Sequence, residues 1–207
     1  MNNLVEFAIV AGLLTMLPGI DTAQVLRSSI KGGPRLAYMT LFGIFIGVWV
    51  LGVAAAIGVS ALLLASPTIY TIFTYVGAGY LIYLGLRMMW DARSVGAFVL
   101  TDGVTEEKPL KAIGRAAFIT LTNPKGAAFY VAVFPAYIPH DISPALAGFE
   151  LATIHNLLAL VWFSMWIWGT NFAKNFFSRP RVRQVMEIVS GLAMLGFGIK
   201  MLIDHLV

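Results

Sequence analysis

Apolar residues fill this chain in six long stretches, near 3–27, 36–64, 67–90, 112–138, 145–172 and 184–206, separated by polar joints. A helix that crosses a bilayer needs about 20 mostly apolar residues. The pattern therefore predicts an all-α, polytopic membrane protein of six transmembrane helices, the second long enough to cross with a tilt. The joints differ in charge. Arg27, Lys31 and Arg35 lie between the first and second stretches. Arg87, Arg93, Lys108, Lys111 and Arg115 lie between the third and fourth, and Lys174, Arg179, Arg181 and Arg183 between the fifth and sixth. Joints 65–66 and 139–144 have no Lys or Arg, so the split is 12 against 0. Basic residues stay in the cytoplasm, which predicts that the odd joints are cytoplasmic and that both termini are outside. Trp90, Trp162, Trp166 and Trp168 fit an inner aromatic belt, whereas Trp49 sits too deep for one.

The longest joint, 91–111, carries Asp102, Gly103, Glu106, Glu107, Lys108 and Pro109 and reads as a solvated tether. It divides the chain into halves 1–90 and 112–207. Each half holds three crossings, so the second half starts from the opposite side of the membrane, and the expected architecture is two inverted three-helix halves.

Composition agrees with this frame. Of 207 residues, 59% are hydrophobic and 12% charged, about half the charged share of a soluble domain. Mean hydropathy is +0.84. The absence of cysteine excludes disulfides, thiolate metal sites and a cysteine nucleophile. His140, His155 and His205 lack ligand-like spacing, so neither a metal site nor a cofactor is expected. The net charge of +4 is explained by the basic joints and does not call for nucleic acid. The opening residues 1–6 lack a basic n-region, so the first stretch reads as a retained helix.

The leading helix of each half is interrupted. The first reads Leu14-Thr15-Met16-Leu17-Pro18-Gly19-Ile20-Asp21-Thr22, the fourth Ile119-Thr120-Leu121-Thr122-Asn123-Pro124-Lys125-Gly126. Proline lacks an N–H and clashes with the carbonyl four residues back, so Pro18 should free the Leu14 carbonyl and Pro124 that of Thr120. Proline also suits the first position of a new helix. Asn123 is a natural N-cap for a segment starting at Pro124. Leu17 cannot cap, and Asp21 could answer the amides of a turn starting at Pro18. Helix starts inside the membrane present amides and partial positive charge. Two of them, from inverted halves, could form one polar pocket for a carboxylate. Asp21 would add an acceptor for an ammonium or a proton, and Lys125 a cation, together matching a zwitterion. The structural alternative is a proline kink with an Asp21–Lys125 ion pair. Intramembrane charges cost about 2.5–3.5 kcal/mol each on insertion scales, which favours a function.

Weaker candidates surround these residues. Gln24 shares the helix face of Asp21. Thr15 and Thr122 could satisfy freed backbone groups. His155 and Asn156, roughly 15 Å into the fifth helix at 1.5 Å per residue, could line the same cavity or hydrogen-bond between helices. Glu187, four residues after Arg183, reads as a surface pair. Gly43 and Gly47 form a GxxxG, which suits close packing within the monomer or a homodimer contact.

Taken together, Pro18-Gly19-Ile20-Asp21, Gly32-Gly33-Pro34-Arg35, Gly77-Ala78-Gly79-Tyr80-Leu81-Ile82-Tyr83-Leu84-Gly85 and Thr122-Asn123-Pro124-Lys125 resemble the lysine-exporter/homoserine-threonine-resistance (LysE/RhtB) family over nearly the whole chain. That resemblance implies export of amino acids across the bacterial cytoplasmic membrane, driven by the membrane ion gradient. It puts Pro18, Gly19 and Asp21 on the first family motif and Asn123, Pro124 and Lys125 on the second. Ile20 departs from the family's usual Pro-Gly-Pro.

The expectation is thus a secondary-active exporter of small amino acids or related zwitterions working by alternating access. The expected binding residues are Thr15, Pro18, Gly19, Asp21, Gln24, Thr122, Asn123, Pro124, Lys125, His155 and Asn156. Asp21 is the expected coupling group for a proton or another ion. The competing classes are an exporter of metal or another small solute, an intramembrane enzyme, and a noncatalytic assembly subunit. No His-Glu-x-x-His occurs and Ser60 has no evident partner for nucleophilic chemistry.

Overall fold

A computed structural model of the chain describes residues 2–16, 19–94, 107–138, 142–170, 172, 176 and 179–206. Among these the structure is helical: α1 (Asn2–Met16), α2 (Ile20–Ala65), α3 (Pro67–Asp91), α4 (Pro109–Leu121), α5 (Pro124–Val133), α6 (Pro144–Trp168) and α7 (Pro180–Leu206). Short 3-10 turns occupy Ala92–Ser94 and Phe134–Tyr137. Local chemistry sets several boundaries. Ser66 accepts from the Ile69 amide ahead of Pro67, and Ser143 from that of Leu146 ahead of Pro144. In both, a hydroxyl cap precedes a proline whose missing N–H costs nothing at the first helical position.

Four helices, α2, α3, α6 and α7, are long and apolar enough to cross a membrane. The two interrupted stretches are each built in pieces. In the first, α1 ends at Met16 and α2 begins at Ile20; Leu17 and Pro18 lie outside the described residues. The new helix starts at Ile20, with Gly19 as its N-cap in an extended conformation (φ −152°, ψ −157°). In the second, α4 stops at Leu121 and α5 restarts at Pro124.

The expected joint between the first and second stretches shrinks to one residue. Helical backbone runs on from Ile20, breaks at Gly33 (φ 69°, ψ −168°), and continues through Pro34 to Ala65. Only glycine takes that left-handed φ without strain, and Pro34 is already shaped for the next helical turn. The tether is also shorter than 91–111 at its far end, because Pro109 already opens α4.

Helices associate in lipid through close packing and hydrogen bonds, since the bilayer offers no hydrophobic drive between them. Here α2 packs against α4 and α6, while α3 pairs mainly with α7. Small residues set these crossings. A Cβ on Gly43 would lie 2.3 Å from the Ile113 carbonyl oxygen of α4, and one on Gly47 would meet Thr120 at 2.8 Å. The GxxxG is therefore used inside the monomer. Between α3 and α7, a Cβ on Gly85 would lie 2.6 Å from the Gly191 carbonyl oxygen, and one on Gly191 would lie 2.6 Å from that of Gly85. Side-chain bonds add to the frame. Trp49 Nε1 donates to Thr153 at 2.9 Å and Tyr38 to Ser164 at 3.1 Å; such interhelical bonds average about 0.6 kcal/mol each.

At the end remote from the Lys/Arg-rich joints, an aromatic cluster fills the interior. Phe7 of α1 packs edge-on against Phe134 (5.4 Å) and Tyr137 (5.5 Å), and Phe134 against Tyr130 (4.5 Å). The Tyr137 hydroxyl donates to Glu6 at 3.3 Å.

Candidate functional site

The Asn123 side chain accepts from the Lys125 amide at 3.1 Å, so Asn123 caps α5 with Pro124 at its first position. The carbonyl that Pro124 should free does not stay empty: Thr120 O accepts from the Asn123 amide at 3.3 Å. The Thr122 hydroxyl donates to the carbonyls of Phe118 and Ile119. The carbonyls of Phe118, Ile119 and Thr120 are thus answered locally, as an apolar medium requires.

The two breaks meet. The Lys125 ammonium would lie 4.0 Å from a Cβ on Gly19. Thr120 donates from its hydroxyl to Asp21 Oδ1 at 3.1 Å, joining α4 to the start of α2. Gln24 Nε2 donates to the same oxygen at 3.3 Å. Asp21 therefore turns to side chains and not, as its sequence position suggested, to the amides of its own first turn. Among the described residues, Oδ2 has no protein donor. The α2 start has no side-chain cap, because glycine occupies the N-cap, and such a helix start carries partial positive charge.

Beside these groups lies a cavity of about 470 Å³. Its lining includes Thr15, Gly19, Asp21, Thr120, Asn123, Lys125, Tyr130, His155, Asn156 and Glu187. Its walls are apolar, with Leu14, Ile44, Val48, Leu51, Leu84 and Phe163 among them. A few polar groups converging in an apolar chamber of this size is the usual form of a small-molecule site.

Most of the expected residues come together here. Thr15, Gly19, Asp21, Asn123, Pro124, Lys125, His155 and Asn156 all line the cavity. The Thr15 hydroxyl is spent on the Ala11 carbonyl at 2.8 Å, and Asn156 Nδ2 on that of Phe45 at 3.2 Å. The Tyr130 hydroxyl and His155 Nδ1 are hydrogen-bonded to each other. Gln24 and Thr122 stand outside the lining: Gln24 braces Asp21 from behind, and Thr122 serves the backbone of the break. Pro18 lies outside the described residues.

Three participants are not among the binding residues expected from the sequence. Thr120 is marked there only by the carbonyl that Pro124 should free, and nothing singles out Tyr130. Glu187, expected on the surface, lines the cavity from α7, and its charge and that of Asp21 both act on Lys125. A helical wheel for α7 alone could have shown that Glu187 shares a face with Gly191.

A further polar cluster sits behind Asp21, toward the Lys/Arg-rich end. Arg115 of α4 grips Glu107 with two bonds, Nε to Oε1 at 2.8 Å and Nη2 to Oε2 at 3.0 Å. Glu107, expected in a solvated tether, is thereby tied to the bundle. The Arg115 hydrogen bonds hold its carboxyl below the usual glutamate range; partial burial opposes them, and the charges of Arg115, Lys111 and Arg27 add to the lowering. A carboxyl with a lowered folded-state pKa stabilises the fold above its unfolded pKa of about 4.3, and this is lost as pH falls through the folded value. Glu107→Gln should therefore lower the unfolding temperature at neutral pH by a few degrees, for a pair worth roughly 1 kcal/mol. Thermal unfolding in detergent checks this, and the difference from wild type should vanish once the medium is more acidic than the folded pKa.

The LysE type translocator family matches residues 13–205. Among individual proteins, the membrane protein YrhP of Bacillus subtilis is 28% identical over 209 residues, covering 97% of this chain and 98% of that protein. The leucine efflux protein of Enterobacter sp. is 28% identical over 207 residues, covering 98% and 96%. That of Klebsiella pneumoniae is 30% identical over 206 residues, covering 96% and 94%. No solved structure matches the chain. With a family match spanning both breaks and every helix that lines the cavity, this membrane protein belongs to the LysE type translocator family.

Proposed function

We propose that the chain is a secondary-active exporter of amino acids with apolar side chains, leucine among them, in a bacterial cytoplasmic membrane. One observation carries the reading: one cavity combines apolar walls with a charged lining, to which the two interrupted stretches contribute Asp21 and Lys125. An α-amino acid fits that combination. Its ammonium would meet Asp21 Oδ2. Its carboxylate would meet Lys125 and the uncapped start of α2. Its side chain would lie along Ile44, Val48, Leu51 and Phe163. Leucine efflux by relatives matching nearly the full length supports the same substrate class.

Six crossings in two inverted halves, with both termini outside, fit the distribution of basic residues. In that arrangement α1 with residues 20–32 forms the first crossing, and α4 with α5 the fourth. Alternating access then amounts to the cavity being sealed first by the aromatic cluster around Phe7 and Phe134 and next at the Lys/Arg-rich end. Asp21 is the proposed coupling group, taking a proton from one side when substrate has left and losing it to the other.

Counterflow in proteoliposomes with a mixed amino-acid panel, with and without a pH gradient, tests this. Leucine-like amino acids should exchange, and an imposed gradient should drive their accumulation. Exchange without any response to pH would remove the proton, and no exchange of any amino acid would remove the export reading.

A further inference from the structure

The cluster behind Asp21 has a directional logic. The guanidinium of Arg115 is donor-only. Its Nη1 contacts Gln24 Oε1 at 3.3 Å, so the oxygen of the Gln24 amide must face Arg115. The NH2 of Gln24 must then point the other way, toward Asp21, where it donates at 3.3 Å. Arg115 is itself held by the Glu107 fork, and its Nη2 reaches Ser28 at 3.5 Å, which is bonded in turn to Thr40 at 2.7 Å. Gln24, Ser28 and Thr40 are all buried, so water does not offer Gln24 a ready alternative. Without Arg115 the amide could turn over, present its oxygen to Asp21, and repel the carboxylate it now supports.

We propose that Arg115, clamped by Glu107, is a positioning residue for substrate binding. It fixes the orientation of the Gln24 amide, which saturates Asp21 Oδ1 together with Thr120 and leaves Oδ2 for the substrate ammonium. Neither Arg115 nor Gln24 lines the cavity, so both act through Asp21. The transport consequence rests on the export reading; the orientation of Gln24 does not.

The test has two arms on Arg115→Lys, Arg115→Gln, Gln24→Leu and the double variant Arg115→Gln/Gln24→Leu. In proteoliposomes, both Arg115 variants should raise the KM for leucine roughly tenfold, as for a lost charge-assisted contact, with kcat changed much less. Lysine keeps the positive charge but not the fork, so full rescue by Arg115→Lys would mean that charge or topology alone matters and would overturn the proposal. In the Gln24→Leu background, Arg115→Gln should add no further effect. Independent, multiplying effects would also overturn it. The second arm is infrared spectroscopy of the Asp21 carboxyl band, assigned as the one lost in Asp21→Asn. The band should shift in both Arg115 variants but not when Arg115→Gln is added to Gln24→Leu. An unmoved band overturns the clamp even if the wild-type protein exports nothing. A wild type without amino-acid transport, beside a shifted band, overturns the export reading alone.

Discussion

Asp21→Asn is expected to cut gradient-driven leucine export by about a hundredfold while leaving the protein folded. The expectation follows from the two carboxylate oxygens doing different things. Oδ1 accepts from Thr120 and Gln24, and the carbonyl oxygen of asparagine can accept both bonds in its place. Oδ2, which has no protein donor among the described residues, becomes an NH2 group. That group cannot take up a proton, and it presents hydrogens to a substrate ammonium that also presents hydrogens. Truncating one partner of a buried, hydrogen-bonded charge pair costs about 2–5 kcal/mol, which spans the expected loss. The measurement is leucine efflux from proteoliposomes normalised to reconstituted protein, alongside the unfolding temperature. Normal export by this variant would take Asp21 out of both binding and coupling.

The second large effect is expected from one methyl group. Gly43→Ala places a Cβ 2.3 Å from a backbone carbonyl of α4, and backbone cannot swing aside as a flexible side chain does. The α2–α4 crossing must widen. Overpacking of this kind costs about 1–3 kcal/mol, or roughly 2–12 °C in unfolding temperature for a chain of this size. The functional loss should exceed the loss in stability, because α4 carries Thr120 to Asp21 and Arg115 to Gln24. Export should fall roughly tenfold even at temperatures where the variant is fully folded. Gly58→Ala is the control. A Cβ there has no neighbour within 4 Å, and alanine favours helix over glycine by about 1 kcal/mol, so that variant should be as stable as wild type or more so. Thermal unfolding and export assays on the two variants check both sides.

The parts of the site that were legible in the sequence share a cause. Pro124 removes an amide, Asn123 supplies a cap, and Asp21 and Lys125 are costly in an apolar stretch, so each announces itself against its immediate neighbours. The expectation that the breaks meet came from the inverted order of the two halves, while the helical nature of the chain and the second break followed from such local rules. Long-range choices did not. Thr120 is marked only by its backbone carbonyl until the α2–α4 crossing sets its hydroxyl against Asp21. Glu187 pairs on paper with Arg183, yet the α3–α7 crossing at Gly85 and Gly191 turns its face inward. Gly33 shows the same limit in the backbone. The sequence marks a turn at Gly32-Gly33-Pro34, but only the φ of Gly33 shows that a single residue suffices, so that Arg27 and Lys31 ride on a helix and not in a loop.

The rings around Phe7 bear on the energy a transport cycle has to find. They are joined by edge-to-face contacts, each worth about 0.5–1.5 kcal/mol beyond the area it covers. Three such contacts total a few kcal/mol, the same scale as one elementary charge falling through a membrane potential of 100 mV, about 2.3 kcal/mol. If the proposed cavity opens on that side, parting these rings costs a few kcal/mol that is returned when they close again, so they would govern how often the cavity opens and not how much of the gradient a cycle consumes.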